Sequence, residues 1–140
     1  MSYPHPYADL IGLKVIEQQD GYSVCSVEVV EKLRNPHGVV HGAILYSLAD
    51  TGMGLALYPS LKEQELCATI EIKINYYKPV RTGNIICTTD MVNRGKSIAN
   101  LESAIYVDNM IVAKANGNFS IFTPSNIKVD ALARITGQAP

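Results

Sequence analysis

The stretch Asn35-Pro36-His37-Gly38-Val39-Val40-His41-Gly42-Ala43-Ile44-Leu45-Tyr46-Ser47-Leu48-Ala49-Asp50-Thr51-Gly52-Met53-Gly54 decides how this chain folds. A polar loop punctuated by proline and glycine runs into an apolar segment long enough for about four helical turns. Pro36 and Gly38 bar a helix before it and Pro59 closes it, so the pattern predicts one helix over 42–58. Nearly all its side chains are apolar or small, which predicts burial all round rather than along a single stripe.

Asp50 conflicts with that burial. It is the only acid between Glu31 and Glu63, set among Leu48, Ala49 and Met53. An ionised carboxylate there costs several kcal/mol unless it is paired or hydrogen-bonded. Aspartate is also a poor interior helix former, because its side chain competes for backbone hydrogen bonds. Either Asp50 is held by a hydroxyl or backbone donor for structure, or it is a carboxylate kept for chemistry. The loop before it favours chemistry. It leads to a helix start, where free backbone N–H groups and the positive end of the dipole favour developing negative charge. Gly42 at that point lets a substrate approach the backbone with no Cβ in the way.

An N–H aimed at a carbonyl oxygen, with a carboxylate nearby, is the minimum kit for acyl-group hydrolysis. Eight residues separate Gly42 from Asp50, about 12 Å of helix rise. One chain cannot easily place both groups on one carbonyl carbon. A symmetric dimer can, with Gly42 N–H of one subunit facing Asp50 of the other.

The run Asn35-Pro-His-Gly-Val-Val-His41-Gly42, followed by Leu-Ala-Asp50, resembles the signature of hotdog-fold acyl-CoA thioesterases. It is closest to the phenylacetate-degradation (PaaI-like) subgroup, with its N-x-x-G-x-x-H-G-G…D pattern. Ala43 replaces the second glycine of H-G-G, a change small enough to keep the backbone approach. The resemblance extends over residues 8–123 and implies an α+β hotdog fold, an antiparallel sheet wrapped around one long central helix. It also implies subunits that pair their sheets, as a homodimer and further as a homotetramer. Position by position, it implies Gly42 as oxyanion donor and Asp50 as base or nucleophile. Asn35 would orient the attacking water or the thioester, His41 would shape the loop, and a Thr69 hydroxyl would assist the acid from the same subunit. The implied activity is thioester hydrolysis of an acyl-CoA. No cofactor is needed, since coenzyme A is part of the substrate.

The rest of the chain bounds this reading. Its 140 residues suit one domain, and the formal net charge of −1 argues against general attraction to nucleic acid or anionic membrane. No apolar run reaches transmembrane length, and the first residues lack the pattern of a signal peptide. Cys25, Cys67 and Cys87 lack metal-ligand spacing and lie in strand-like contexts, which predicts buried free thiols in a reducing cytoplasm.

After a loose start over 1–6, Tyr7 to Leu13 predicts a short helix ending at Gly12, with Leu10 and Ile11 against the sheet. Strands are expected over 14–18 and 22–30, with a bulge near Cys25-Ser26 reconciling two parities. The alternating 69–78 strand places Ile70, Ile72, Ile74 and Tyr76 on the helix, and Thr69, Glu71, Lys73 and Asn75 toward solvent. That parity suits a surface threonine. The role implied for Thr69 needs it where the strand begins or twists. Strands over 84–93, 97–107 and 111–121 follow, joined by turns at Arg94-Gly95-Lys96 and Asp108-Asn109. Residues 124–140 form a short amphipathic helix through Ile127, Leu132 and Ile135, or a disordered end.

His37 and His41 are four apart, but Pro36 and Gly38 forbid a helix there, so no metal site is expected. By type, His41 fits either a general base or a loop histidine that hydrogen-bonds the backbone. Arg94, Lys96, Lys78 and Arg81 are cations near strand ends, either ordinary surface charge or a group able to meet the phosphates of coenzyme A. In the family such contacts often fall at the turn that Gly95, Lys96 and Ser97 form here. Tyr46 and Met53, with Leu57 and Tyr58, are candidates to line an apolar acyl tunnel. A hydratase or dehydratase acting on the thioester, and a non-catalytic acyl-CoA-binding protein, are the alternative readings.

Overall fold

The computed structural model describes residues 4–124. In order these form helix α1 (Pro6–Ile11), strands β1 (Lys14–Gln19) and β2 (Tyr22–Glu28), helix α2 (Gly42–Leu57), and strands β3 (Leu66–Tyr76), β4 (Asn84–Arg94), β5 (Ile98–Val107) and β6 (Met110–Phe122). The strands make one antiparallel sheet in the order β1-β2-β4-β5-β6-β3, so α2 carries the chain across the sheet to its far edge. This is the expected α+β arrangement of a sheet around one long helix. Asp108 and Asn109, at φ 50° and 64°, make the tight turn between β5 and β6. No described helix is long and apolar enough to cross a membrane.

The core lies between α2 and the concave face of the sheet. Leu48, Met53 and Leu57 from the helix meet Val27, Ile85, Leu101 and Ile105 from the strands, all fully buried. Each such side chain contributes about 1.5–3 kcal/mol relative to staying in water. Three buried hydroxyls are paired: Ser23 Oγ donates to the Gly52 carbonyl at 2.6 Å, and the Thr89 and Ser103 hydroxyls lie 2.7 Å apart.

Burial of α2 is one-sided within the chain, contrary to the expectation of burial all round. Ala43, Tyr46, Ser47, Asp50, Thr51, Gly54 and Tyr58 form a continuous, incompletely covered stripe at helical spacing. One sheet reaches only part of a helix's circumference. In α1, Ala8 and Ile11 are buried while Leu10 is 64 % exposed, because the packed positions are three apart. Gly12 ends that helix in the left-handed region at φ 76°.

Strand parity also departs from expectation in two places. β2 contains no bulge: its register with β4 is unbroken, and Ser23, Cys25 and Val27 form one buried face. The irregularity sits instead in β1, between Val15 and Glu17. In β3 the register slips between Thr69 and Glu71, leaving Ile70 as an extra residue, 53 % exposed. Before the bulge Cys67 and Thr69 point to the helix side, opposite Ile121 and Phe119. After it Ile72, Ile74 and Tyr76 do. Glu71, Lys73 and Asn75 are exposed as expected. The helix or disordered end expected over 124–140 falls, from residue 125 on, outside the described residues.

Two glycines of α2 should respond oppositely to alanine. A Cβ on Gly52 would lie 2.7 Å from Oγ1 of the buried Thr89, whereas one on Gly54 would meet nothing within 4 Å. Urea unfolding should show Gly52→Ala destabilised by about 1–3 kcal/mol and Gly54→Ala stabilised by up to about 1 kcal/mol.

Candidate active site

Asp50 sits midway along the open stripe of α2, half-buried, with its Oδ1 accepting a hydrogen bond of 2.7 Å from Thr69 Oγ1. The bulge at Ile70 creates this pairing: with unbroken alternation Thr69 would point away from the helix. Around the pair lies a groove of about 740 Å³, lined by Tyr7, Tyr46, Ser47, Gly54, Tyr58 and Phe119 among others. Cys67 also borders it. Burial, and then the nearby Asp50 carboxylate, hold its thiol above the ordinary value, which makes it a poor nucleophile.

Gly42 opens α2 in a separate hollow of about 270 Å³, bordered also by Leu45, Tyr76 and Lys78. As the first helical residue it has no intrahelical acceptor for its N–H, and among the described residues no other acceptor meets it. His41 caps the helix, its Nδ1 accepting from Ala43 N–H at 2.9 Å. Asn35 shapes the loop: its Oδ1 accepts from the N–H groups of His37 and Val39 at 2.9 and 3.4 Å. Tyr76, which alternation marks only as a packing residue, donates its hydroxyl to the Gly42 carbonyl at 2.9 Å. Burial, then Tyr46, push its pKa up, so the phenol keeps the donating proton.

Other candidates are placed apart. Met53 is fully buried against Gly117 in the core and does not line the groove around Asp50, because it lies on the sheet-facing side of α2. Tyr46 does line the groove. The four cations do not form one group. Lys78 borders the Gly42 hollow, and Arg81 is fastened to the same end through its carbonyl, which accepts from Arg34 at 2.6 Å. Arg94 lies at the other end of α2 and is engaged within the protein. Its guanidinium donates to the Ser60 hydroxyl and carbonyl, the Gly95 carbonyl and Glu65 Oε1. Lys96 and Ser97 are exposed beside it, and Gly95 donates its N–H to the Ile98 carbonyl.

Two further residues, Ser47 and Tyr7, join the groove beyond the candidates read from the sequence. Ser47 stands three before Asp50, on the same helix face, and that spacing is the signal that could have found it. Tyr7 gives no signal, since only folding brings α1 to within 2.9 Å of the Ser47 hydroxyl.

A sequence model of the thioesterase superfamily matches residues 37–114. The acyl-coenzyme A thioesterase PaaI of Escherichia coli is 27 % identical over 134 residues, covering 94 % of this chain and 87 % of that protein. A 1,4-dihydroxy-2-naphthoyl-CoA hydrolase of Listeria monocytogenes is 27 % identical over 89 residues, covering 64 % and 72 %. Among solved structures, a conserved protein of Pseudomonas aeruginosa superposes with a TM-score of 0.79 at 30 % identity, over 85 % of this chain and 95 % of that one. The chain belongs to the thioesterase superfamily, as a hotdog-fold thioester hydrolase of the PaaI-like type.

The end of α2 carries a pH-sensitive contact. The Lys62 N–H, then the Arg94 guanidinium, hold the Glu65 carboxyl below its ordinary 4.5. A lowered folded pKa contributes stability above the unfolded value and loses it as pH falls through the folded one. Acid unfolding curves of wild type and Glu65→Gln should therefore differ above about pH 4.5 and converge below it.

Proposed function

We propose that this protein hydrolyses acyl-CoA thioesters at a site shared by two copies of the chain, with Asp50 of one copy and Gly42 of the partner subunit on the same substrate. The observation that carries this reading is the Thr69–Asp50 hydrogen bond at 2.7 Å, open to a groove of substrate size. It engages Oδ1, and among the described residues no donor meets Oδ2. That oxygen takes a proton from water, whose oxygen adds to the thioester carbonyl. The oxyanion that forms meets the N–H that opens the partner's helix. Its collapse breaks the C–S bond, and the proton held on Asp50 passes to the leaving sulfur, releasing the free acid and coenzyme A as thiol and restoring the carboxylate. His41 and Tyr76 hold the donor end of α2, and Asn35 Oδ1 holds the loop before it, leaving the Asn35 NH₂ to orient water or thioester. Lys78 and Arg81, or Lys96 and Ser97, are the exposed groups suited to the phosphates of coenzyme A.

Sharing the site follows from distance and from edges. Gly42 and Asp50 border different hollows in one chain, about 12 Å apart along the axis. β3, 11 residues long, ends the sheet: it pairs with β6 on one side, no described strand covers its other edge, and Leu66, Ile70, Tyr76 and Tyr77 are exposed there. An edge this long and apolar favours pairing with another strand. Two β3 edges joined antiparallel extend the sheet and bring the open stripes of two α2 helices together. Dimers of this kind then pair as a tetramer. Free Cys25, Cys67 and Cys87 suit a reducing compartment, and we place the protein in the cytoplasm.

Thiol release from a panel of acyl-CoAs tests the reading, because a hydratase or a binding protein frees no coenzyme A. Asp50→Asn should lose about 10²-fold or more in kcat. Thr69→Val should lose about tenfold, through one charge-assisted hydrogen bond. Sedimentation should show a dimer or larger. Near wild-type turnover by Asp50→Asn, or full activity in a monomer, would overturn the proposal.

A further inference from the structure

A glycine inside a helix costs about 0.5–1 kcal/mol relative to alanine. In α2, Gly52 has a packing reason, with Thr89 Oγ1 2.7 Å from where its Cβ would stand. Gly54 has none: a Cβ there meets no atom within 4 Å. It lies one turn beyond Asp50 on the open stripe and forms part of the groove.

We propose that Gly54 is a specificity-determining residue whose missing side chain makes room for the acyl group, which lies along α2 from Asp50 toward Tyr58. This rests on Asp50 marking the reacting end, as in the function proposed above. In the opposite direction the groove is bridged one turn before Asp50. Ser47 Oγ donates its only proton to the Ala43 carbonyl at 2.8 Å, so the Tyr7 hydroxyl at 2.9 Å must be the donor to Ser47. That contact ties α1 across the groove. Toward the other end the helix runs eight residues from Asp50 to Tyr58, about 12 Å. Gly54 forms the floor there, and Tyr58, Leu66 and Phe119 form apolar walls. A space so shaped takes a bulky acyl chain, either a fused-ring aryl group or an aliphatic chain of medium length, and gives a short acyl group little to touch.

The test compares kcat/KM for acetyl-CoA, octanoyl-CoA and benzoyl-CoA in wild type, Gly54→Ala and Gly54→Leu, with sedimentation of each. Leucine should lower the octanoyl-to-acetyl and benzoyl-to-acetyl ratios by about tenfold or more, and alanine by less. Unchanged ratios in Gly54→Leu would overturn the proposal. That includes the case in which all substrates fall together and the assembly dissociates, which would assign Gly54 to subunit packing. Binding of ethyl-CoA and octyl-CoA thioethers reads the same ratio without turnover. Failure of hydrolysis by the wild type therefore counts against the shared-site chemistry, while the thioether ratio still decides Gly54.

Discussion

The hydrogen bond from Thr69 to Asp50 crosses the seam between helix and sheet, and it forms because β3 changes phase at Ile70. Upstream of that residue Thr69 looks at the helix. Downstream Ile72 and Ile74 do, filling the core beside Met53. A strand without the bulge would have to choose between the hydroxyl and the isoleucines, since each one-residue shift sends a side chain to the opposite face. The bulge gives one strand both a polar and an apolar contact with the same helix.

The one-sided burial of α2 answers the electrostatic difficulty that Asp50 poses. Full enclosure of an unpaired carboxylate costs several kcal/mol, while one hydrogen bond to a charged group returns only about 1.5–3 kcal/mol. The second effect cannot offset the first. Asp50 instead lies on the stripe that the sheet leaves open, where solvent and Thr69 share its charge. On the covered side the polar groups that do occur are neutral and paired, as at Ser23, Thr89 and Ser103. Charge and core are kept apart by about half a helical turn.

The helix is legible in the sequence because its punctuation is local: Gly42 and Pro59 mark its ends, and α2 spans Gly42–Leu57 before tightening into a short turn. The β4-β5-β6 meander is legible for the same reason, through the inward positions Ala99, Leu101 and Ile105 and the turn at Asp108-Asn109. Alternation misleads wherever a register slip intervenes. A bulge adds one residue to one strand, and in β3 nothing in the alternating Thr69-Ile-Glu-Ile-Lys-Ile announces it. Arg94 looks like a free cation in the sequence because its partners Ser60 and Glu65 are some thirty residues away in the chain.

The sequence by itself determined the long helix, the antiparallel strands that flank it, and the pairing of a glycine at a helix start with an acid two turns on. All of these depend on neighbours a few residues apart, where spacing and residue type carry the physics. Tertiary structure alone decided the strand order, the side of α2 left open, the contact of Tyr7 with Ser47, and the meeting of Thr69 with Asp50. Those depend on which distant segments share a surface, and that is settled only when the whole apolar core closes at once.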